Sequence, residues 1–386
     1  MILREVKSER DRRDFLLLPI EIYKDDKNWI RPLDKDIEEV FDPAKNKFFK
    51  HGEAIRWLLD DGNGKTIGRI AAFINTRTSK KEKQPTGGVG FFECTDNNEA
   101  AKLLFDTSKE WLAARGMEAM DGPINFGERD SWWGLLTEGF MPPPYKMNYN
   151  RPYYKDLFEK YGFQPYFYQF CYGKDPMMRT NQKFYDRHAI VAKLPGYRAE
   201  HLRKSQLAKY AEDFRTVYNQ AWAKHGEGKQ MESRQVQLLF KKMKPVMDEK
   251  VIWFVYYNDE PVAMWVNLPD INQLFAKFNG RFGLLEKIRF IWMLRRRKVK
   301  RFIGLVFGVV PEHQAKGVDG FMIVEGATLL QKEKLYSEYE MQWIGDFNPK
   351  MISIAINLGT ERSRTLCTYR YLFDRSRPFE RHPMLK

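Results

Sequence analysis

The chain has 386 residues, of which 43% are apolar and 15% aromatic, and 65 Lys and Arg against 51 Asp and Glu give it a net charge of +14. This length fits two or three domains, each with enough apolar residues to bury a core. The three cysteines are too scattered for a disulfide framework, and the histidines lack the spacing of metal ligands. The sequence contains neither a signal-peptide core nor an uncharged apolar run long enough to span a membrane. We therefore expect a cytoplasmic protein.

The first unit to emerge along the chain lies between residues 90 and 172. Residues 90–94 predict a strand and residues 98–115 predict a helix. The connection between them, residues 95–99, holds no glycine and two acids, which is typical of a helix N-cap rather than of a phosphate-binding loop. Residues 157–163, Leu-Phe-Glu-Lys-Tyr-Gly-Phe, predict the end of a second helix, and residues 167–172 predict an aromatic strand.

Two loops frame this unit. Residues 122–135 form a long polar and aromatic segment, which either lines a binding site or packs Trp132 and Trp133 between two halves of the protein. Residues 173–182 are rich in turn-forming residues and follow the aromatic strand. The sequence therefore predicts two domains, residues 1–180 and 181–386.

A basic segment marks the second half of the chain. Residues 253–266 predict a strand that leads to Asp270. Residues 287–301 then combine eight cations with the large apolar side chains of residues 290–294. Three interpretations stay open for this segment: a solvated helix, a surface for anionic lipid or an acidic acceptor, and a nucleic-acid surface.

The most informative stretch follows that segment. Residues 302–310 predict a buried strand, and residues 321 to about 336 have apolar side chains at helical spacing. The intervening turn contains Gly317 and Gly320. A strand, a glycine-containing turn and a helix together direct free backbone N–H groups and the positive end of a helix dipole to one place, which suits a phosphate or pyrophosphate.

A second motif lies downstream. Residues 339–344 predict a strand, and residues 348–359 begin with Asn-Pro and end with Leu-Gly, which predicts a helix closed by Gly359 in the left-handed conformation. Residues 365–373 alternate in a way that predicts a further strand.

These motifs resemble the GNAT superfamily of acyl-CoA N-acyltransferases. Gln314-Ala-Lys-Gly317-Val-Asp319 is similar to the acyl-CoA loop of that family, and residues 348–359 and 157–163 are each similar to its later helix motif. The resemblance implies an α+β (mixed α/β) protein with two tandem GNAT-like folds, each a central mixed sheet flanked by helices. Acetyl-CoA or another acyl-CoA is the implied cosubstrate, held by the second copy and not by the first, and no metal is implied.

The resemblance also assigns binding residues. By position in the motifs they are Val309, Val310, Gln314, Ala315, Lys316, Gly317, Val318, Asp319, Gly320 and Asn348. Asp319 departs from the family pattern because a small neutral residue is expected there. Either Lys316 and the basic chain offset its charge, or Asp319 acts only as an acid in the first turn of a helix.

The catalytic residues are less well defined. Ala355 stands where many family members have the tyrosine that protonates the leaving thiolate, so Tyr369, Tyr371 or water would have to supply that proton. The acceptor amine must lose a proton before it attacks. Glu340 is our first candidate for the base and Asp270 the second. The alternative for each, which the sequence favours, is a solvent-facing acid.

The expected function is transfer of an acetyl or longer acyl group from acyl-CoA to an unknown primary amine. Two alternatives remain at this point. One is a pseudo-acyltransferase, catalytically silent because of Asp319 and Ala355, that binds a ligand or a partner. The other is a lipid- or nucleic-acid-binding protein that uses residues 287–301.

Overall fold

The computed structural model describes residues 1–79, 84–222 and 230–385. We call residues 1–180 the N-terminal half and residues 181–386 the C-terminal half. The N-terminal half contains β1 (Ile2–Glu5), α1 (Glu9–Ile22), α2 (Asp34–Val40), β2 (Gly52–Asp60), β3 (Thr66–Asn75), α3 (Thr76–Ser79), β4 (Thr86–Cys94), α4 (Asn98–Ala113), β5 (Ala119–Gly122), β6 (Leu135–Glu138), α5 (Tyr154–Tyr161) and β7 (Gln164–Lys174).

The C-terminal half repeats this alternation of strands and helices. It contains α6 (Gln182–Val191), β8 (Tyr197–His201), α7 (Leu207–Trp222), α8 (Ser233–Met243), β9 (Ile252–Tyr257), β10 (Glu260–Pro269), α9 (Asn272–Phe275), α10 (Leu284–Arg295), β11 (Arg301–Val309), α11 (Val318–Glu333), β12 (Glu338–Gly345), α12 (Pro349–Asn357) and β13 (Glu361–Leu372). The predicted elements flanking the glycine turn and the downstream motif are therefore confirmed, and Gly359 has the expected positive φ of 71°.

The strands of the described residues form a single sheet in the order β1-β2-β3-β4-β5-β13-β7-β12-β11-β10-β9-β8, with β6 beside β13. Pairing is antiparallel except for β4 with β5 and β11 with β12, which are parallel. Helix α4 packs on β3, and α11 packs on β9 and β10, while α1 contacts β2 to β4 and α7 contacts β10 and β11. The predicted mixed α/β fold class is confirmed.

The two halves share strands. β13, from the C-terminal half, lies between β5 and β7 of the N-terminal half, with Tyr369 opposite Gly122. β7, in turn, pairs with β12 of the C-terminal half, with Tyr172 opposite Met341. Each half is thus completed by a strand of the other, and the proposed domain boundary near residue 180 stays a prediction.

Strand directions define two edges of the sheet. Strands β4, β5, β7 and β10 end at the edge where β11, β12 and β13 begin, and we call this the upper edge. The opposite edge, where β11 and β12 end, is the lower edge. Since a strand rises about 3.3 Å per residue, the two ends of β11 are about 26 Å apart.

One sequence prediction is wrong in this region. Residues 253–266 form a hairpin of two strands, β9 and β10, and not one strand. Asn258 and Asp259 make its turn, with φ of 48° and 70°. Asn and Asp tolerate positive φ at low cost, so this dipeptide between two apolar runs was the available signal for a hairpin.

Candidate functional site

The site predicted from the glycine turn lies where β11 and β12 separate. Their parallel pairing runs from Arg301 with Glu338 to Gly304 with Met341 and then stops, although β11 continues to Val309. At the point of separation, Leu305 is an extra residue opposite β10 and forms a β-bulge. The result is a wedge-shaped gap between two strands that opens toward the lower edge.

Backbone groups of β11 face this gap. Val310 donates its N–H to the carbonyl of Val262 on β10, 2.9 Å away. Because antiparallel strands alternate in the direction of their hydrogen bonds, the backbone groups of Phe307 and Val309 point the other way, toward the gap. The carbonyl of Val309 indeed accepts from Nε2 of Gln314 at 3.0 Å. This edge of β11 can therefore pair with an extended polar ligand.

The turn after β11 leads to an open helix N-terminus. Ala315 and Gly317 have φ of 61° and 85°, and α11 starts at the next residue without a side-chain cap. Among the described residues, the backbone N–H groups of residues 315–320 donate no hydrogen bond. Unpaired N–H groups at the start of a long helix make a binding site for an anion.

The corresponding helix of the N-terminal half lacks this property. Oδ1 of Asn97 accepts from the backbone N–H groups of Glu99 and Ala100 at 2.9 and 3.0 Å. The predicted N-cap over residues 95–99 is thus confirmed, and Asn97 satisfies two of the first N–H groups of α4. The start of α11 has no such side-chain cap.

Gly317 also has a packing role. Turns ordinarily lie at the surface, whereas Gly317 is buried against α6. A Cβ atom there would lie 3.1 Å from Cβ of Arg187 and 3.4 Å from Cγ2 of Val191. A Cβ at Gly320 would lie 2.8 Å from the same Arg187 atom. Both glycines therefore allow α6 to approach α11, in addition to any role with a ligand.

The charge of Asp319 has a local partner. Its Oδ2 accepts from Nη1 of Arg187 at 2.6 Å, and both side chains are partly exposed. Lys316, also exposed, adds a cation to the turn. The carboxylate that departs from the family pattern is thus neutralised by Arg187 of α6. This pairing could not be foreseen because Arg187 belongs to no motif.

The remaining predicted binding residues serve the frame of the site. Val310 and Val318 are buried. Asn348 caps α12, and its Oδ1 accepts from the N–H of Met351 at 3.3 Å. Beside the turn, Nδ1 of His313 lies 2.7 Å from the hydroxyl of Tyr197, and burial together with Lys316 holds the pKa of His313 below its usual range.

The two predicted bases lie in one buried ion network at the upper edge. Oε2 of Glu340 accepts from Arg301 at 3.1 Å, and Oε1 accepts from Arg364 at 2.7 Å and from the Ser363 hydroxyl at 2.9 Å. Arg301 also holds Oδ2 of Asp270 at 2.6 Å. Glu340 lies one strand pair before the gap, level with Ile303.

This network joins the halves. Arg364 is fully buried and donates to the carbonyls of Gly139, Met141 and Pro142, in the loop after β6. Burial raises the pKa of Asp270, and the neighbouring Arg301 opposes that rise. Both carboxylates are already bound by guanidinium groups, which favours a structural role, and their role as a base stays a prediction.

Tyr369 lies apart from the gap. It belongs to the N-terminal core, where it packs on Phe158, and its hydroxyl donates to Oε1 of Glu159 at 2.8 Å. Burial raises the pKa of Tyr369. Its proposed role as the acid for a leaving thiolate at the lower edge is therefore not supported by its position, although it stays untested.

Sequence reasoning missed a further buried carboxylate on β4. Glu93 on β4 accepts from the hydroxyls of Tyr23 and Tyr154 at 2.8 and 2.7 Å and pairs with Arg69 at 3.3 Å. Burial raises its pKa, opposed by Arg69. Glu93 borders a cavity of about 80 Å³ at the upper edge, also lined by Trp29, Asp36, Phe91, Trp132, Lys146 and Asn272. An acid inside an otherwise apolar strand was the available signal.

Comparisons with known proteins place these features in context. No family model matches the chain. It is 26% identical over 372 residues to a bacterial ceramide synthase of Caulobacter vibrioides, covering 94% of this chain and 95% of that protein. It is also 24% identical over 368 residues to protein YghO of Escherichia coli, covering 93% and 92%.

Solved structures share the fold. A tandem GNAT protein from the clavulanic acid biosynthesis pathway matches with a TM-score of 0.52 and 11% identity, covering 98% of this chain and 99% of that one. A glucosamine N-acetyltransferase region in a fungal multi-domain β-N-acetylglucosaminidase matches with a TM-score of 0.53 and 11% identity; this chain spans 96% of its own length and 38% of that longer protein. The protein is therefore a tandem GNAT-fold protein, as its motifs indicated.

Proposed function

We propose that the protein is an acyl-CoA-dependent N-acyltransferase whose acceptor is a long-chain primary amine. One observation carries the proposal: the unpaired N–H groups of residues 315–320 stand directly beyond a gap where β11 continues without pairing to β12. The GNAT-fold neighbours and the ceramide synthase relative support an acyltransferase-type function. A ceramide is an N-acylated long-chain amino alcohol, which is why we choose this class of acceptor.

The residues at the lower edge fit an acyl-CoA. The N–H groups of residues 315–320 and Lys316 would hold the diphosphate. The backbone groups of Phe307 and the N–H of Val309 would pair with the amide-containing arm. Arg187 pairs with the carboxylate of Asp319 and so offsets the negative charge that would repel a diphosphate. The bound cosubstrate supplies a thioester carbonyl for attack by the amine.

The point at which β11 and β12 separate is the natural place for the reaction. A carbonyl held there lies beside the bulge at Leu305, and Glu340 is the nearest of the two predicted bases along the strands. Because Arg301 and Arg364 already pair with Glu340, we assign Glu340 first a structural role beside the gap. Deprotonation of the amine by Glu340 then requires one of these pairs to open.

The test is an acyl-transfer assay on the purified chain. Acetyl-CoA and palmitoyl-CoA are each offered with sphinganine, with a short amino alcohol and with no amine, and the N-acylated product is measured by mass spectrometry alongside thiol release. We expect the amide of sphinganine to form with at least one acyl-CoA. Acyl-CoA binding without any amide would favour the silent binding protein, and the absence of both would refute the proposal.

A further inference from the structure

Helix α10 carries an exposed apolar face. Leu284, Leu285, Ile288, Ile291 and Trp292 have exposed fractions between 46% and 78%. Residues 284, 288 and 292 repeat every four positions, and residues 285, 288 and 292 follow the same side, so they form one stripe along the helix. A contiguous stripe of this kind differs from the scattered single apolar side chains that are normal on a protein surface.

The opposite face of α10 is fixed to the protein. Phe290 and Met293 are buried, and the ring of Phe290 stacks on Phe275 at a centroid distance of 5.2 Å and meets Phe282 edge-on at 5.6 Å. At the start of the helix, Oε2 of Glu286 accepts from the N–H of Gly283 at 2.8 Å. The exposed stripe is therefore held in a defined position, on a helix that is capped and anchored.

Cations surround the stripe. They are Lys287, Arg289, Arg295, Arg296, Arg297, Lys298 and Lys300. Among the described residues, no acidic side chain forms an ion pair with any of them. A depression of about 370 Å³ beside the helix adds Lys277 and Arg281, together with Leu285 and Arg289. The surface thus combines uncompensated positive charge with exposed apolar side chains.

The combination of cations and exposed apolar side chains fits an anionic lipid surface. A helix with cations beside leucine, isoleucine and tryptophan lies in the interface of an anionic bilayer, where the apolar side chains enter the acyl boundary and the cations meet the headgroups. Nucleic acid would satisfy the cations and leave Leu284, Leu285 and Ile288 in water. We propose that the stripe of α10 and its surrounding cations dock the protein on an anionic phospholipid bilayer.

The docking surface lies at the upper edge of the sheet. Helix α10 connects the end of β10 to the start of β11, and its neighbour Phe282 sits under Lys35 of α2, with 4.8 Å between Nζ and the ring centroid. The same edge holds the Glu340 network and the cavity beside Glu93. This placement deepens the proposed function and rests on it: a long-chain amine would arrive from the membrane at the edge opposite the acyl-CoA loop. Among the described residues no helix is both long and apolar enough to cross a bilayer.

Vesicle flotation tests the proposal. The full chain is mixed with phosphatidylcholine vesicles with and without phosphatidylglycerol. One variant carries Leu285→Ser, Ile288→Ser and Trp292→Ser, and a second carries Arg295→Gln, Arg296→Gln and Arg297→Gln. A matched control, Lys241→Gln, Lys242→Gln and Lys244→Gln, removes the same charge from exposed positions on or beside α8.

We expect the wild type and the α8 control to float with the anionic vesicles and both α10 variants to lose at least tenfold in partition coefficient. The proposal is overturned if the wild type does not bind anionic vesicles or if all four proteins bind alike. It is also overturned if duplex DNA binding depends on the three arginines while vesicle binding is absent, which would assign the surface to nucleic acid.

Two further readouts complete the test. Sedimentation velocity without lipid must show the same oligomeric state for the wild type and the serine variant; a wild-type dimer that the serine variant loses would assign the stripe to a second copy of the chain and overturn the proposal. Vesicle binding that persists without any acyl transfer would refute the proposed function alone. Conversely, acylation of sphinganine without vesicle binding would refute only the docking surface.

Discussion

The ion pair between Arg187 and Asp319 gives a direct test of the acyl-CoA loop. The two side chains are 2.6 Å apart at the start of α11, and both are partly exposed. If the loop holds a diphosphate, Asp319 opposes binding and Arg187 favours it. Asp319→Asn should therefore tighten CoA binding, Arg187→Gln should weaken it, and the double variant should return close to the wild type.

The size of each effect follows from the charges. A unit charge about 6 Å from a phosphate contributes about 0.7 to 2.8 kcal/mol for effective dielectric constants between about 80 and 20. This corresponds to a factor of about 3 to 100 in Kd. Glutamine keeps the Cβ and Cγ atoms of Arg187 that pack against Gly317, so the change removes charge without opening the contact between α6 and α11.

Calorimetric titration of CoA into the wild type, the two single variants and the double variant, at low and moderate salt, measures these changes in affinity. Lys332→Gln is the matched control, since Lys332 is exposed near the far end of α11. It lies about 21 Å from the loop at 1.5 Å per residue, which is about two Debye lengths. Equal affinity in all variants, or no CoA affinity in any, would mean that residues 314–320 form only a turn against α6.

Two further outcomes are expected. Arg364→Met should cost about 3–5 kcal/mol of the free energy of unfolding in urea because it breaks the buried ion pair with Glu340 and removes the donor to the carbonyl of Met141. Arg362 is exposed on the same strand and stacks on Phe170, so Arg362→Met should cost no more than about 1 kcal/mol. Equal losses would contradict the structural role of the network. His313 should titrate by NMR with a pKa below its usual value of about 6.5. Its contribution to the free energy of unfolding is therefore present above that pH and is lost as the pH falls toward the folded pKa. Bound CoA should raise the pKa of His313, and an unchanged titration with CoA bound would count against a diphosphate beside Lys316.

The sequence predicted the helices and strands that depend on the spacing of apolar residues and on local turn-forming residues. The strand before Gly317, the helix after it and the stop at Gly359 are all present because buried strands, apolar helical spacing and left-handed glycines are local properties. The self-capped α4 followed in the same way from residues 95–99. The hairpin at Asn258 was missed because a long apolar run outweighed a two-residue signal.

Long-range features could not be foreseen. Asp319 is neutralised by an arginine 132 positions earlier in the chain. Glu340 and Asp270 are partnered by Arg301 and Arg364, which requires strands to meet at the upper edge. No local sequence pattern predicts these long-range ion pairs. Candidate carboxylates could be chosen by their place on predicted strands, but whether a carboxylate is free or paired depends on tertiary contacts.

The exchange of β7 and β13 has a consequence for synthesis on the ribosome. A chain emerging from its N-terminus would present β5 and β7 without the strand that separates them, since β13 is made long after β7. An unpaired sheet edge is a template for wrong pairing with other chains, and domains ordinarily fold as they emerge. Here the N-terminal half must wait until β13 has been made, so nascent chains arrested before β13 should need chaperone protection, and neither half expressed alone should stay monomeric.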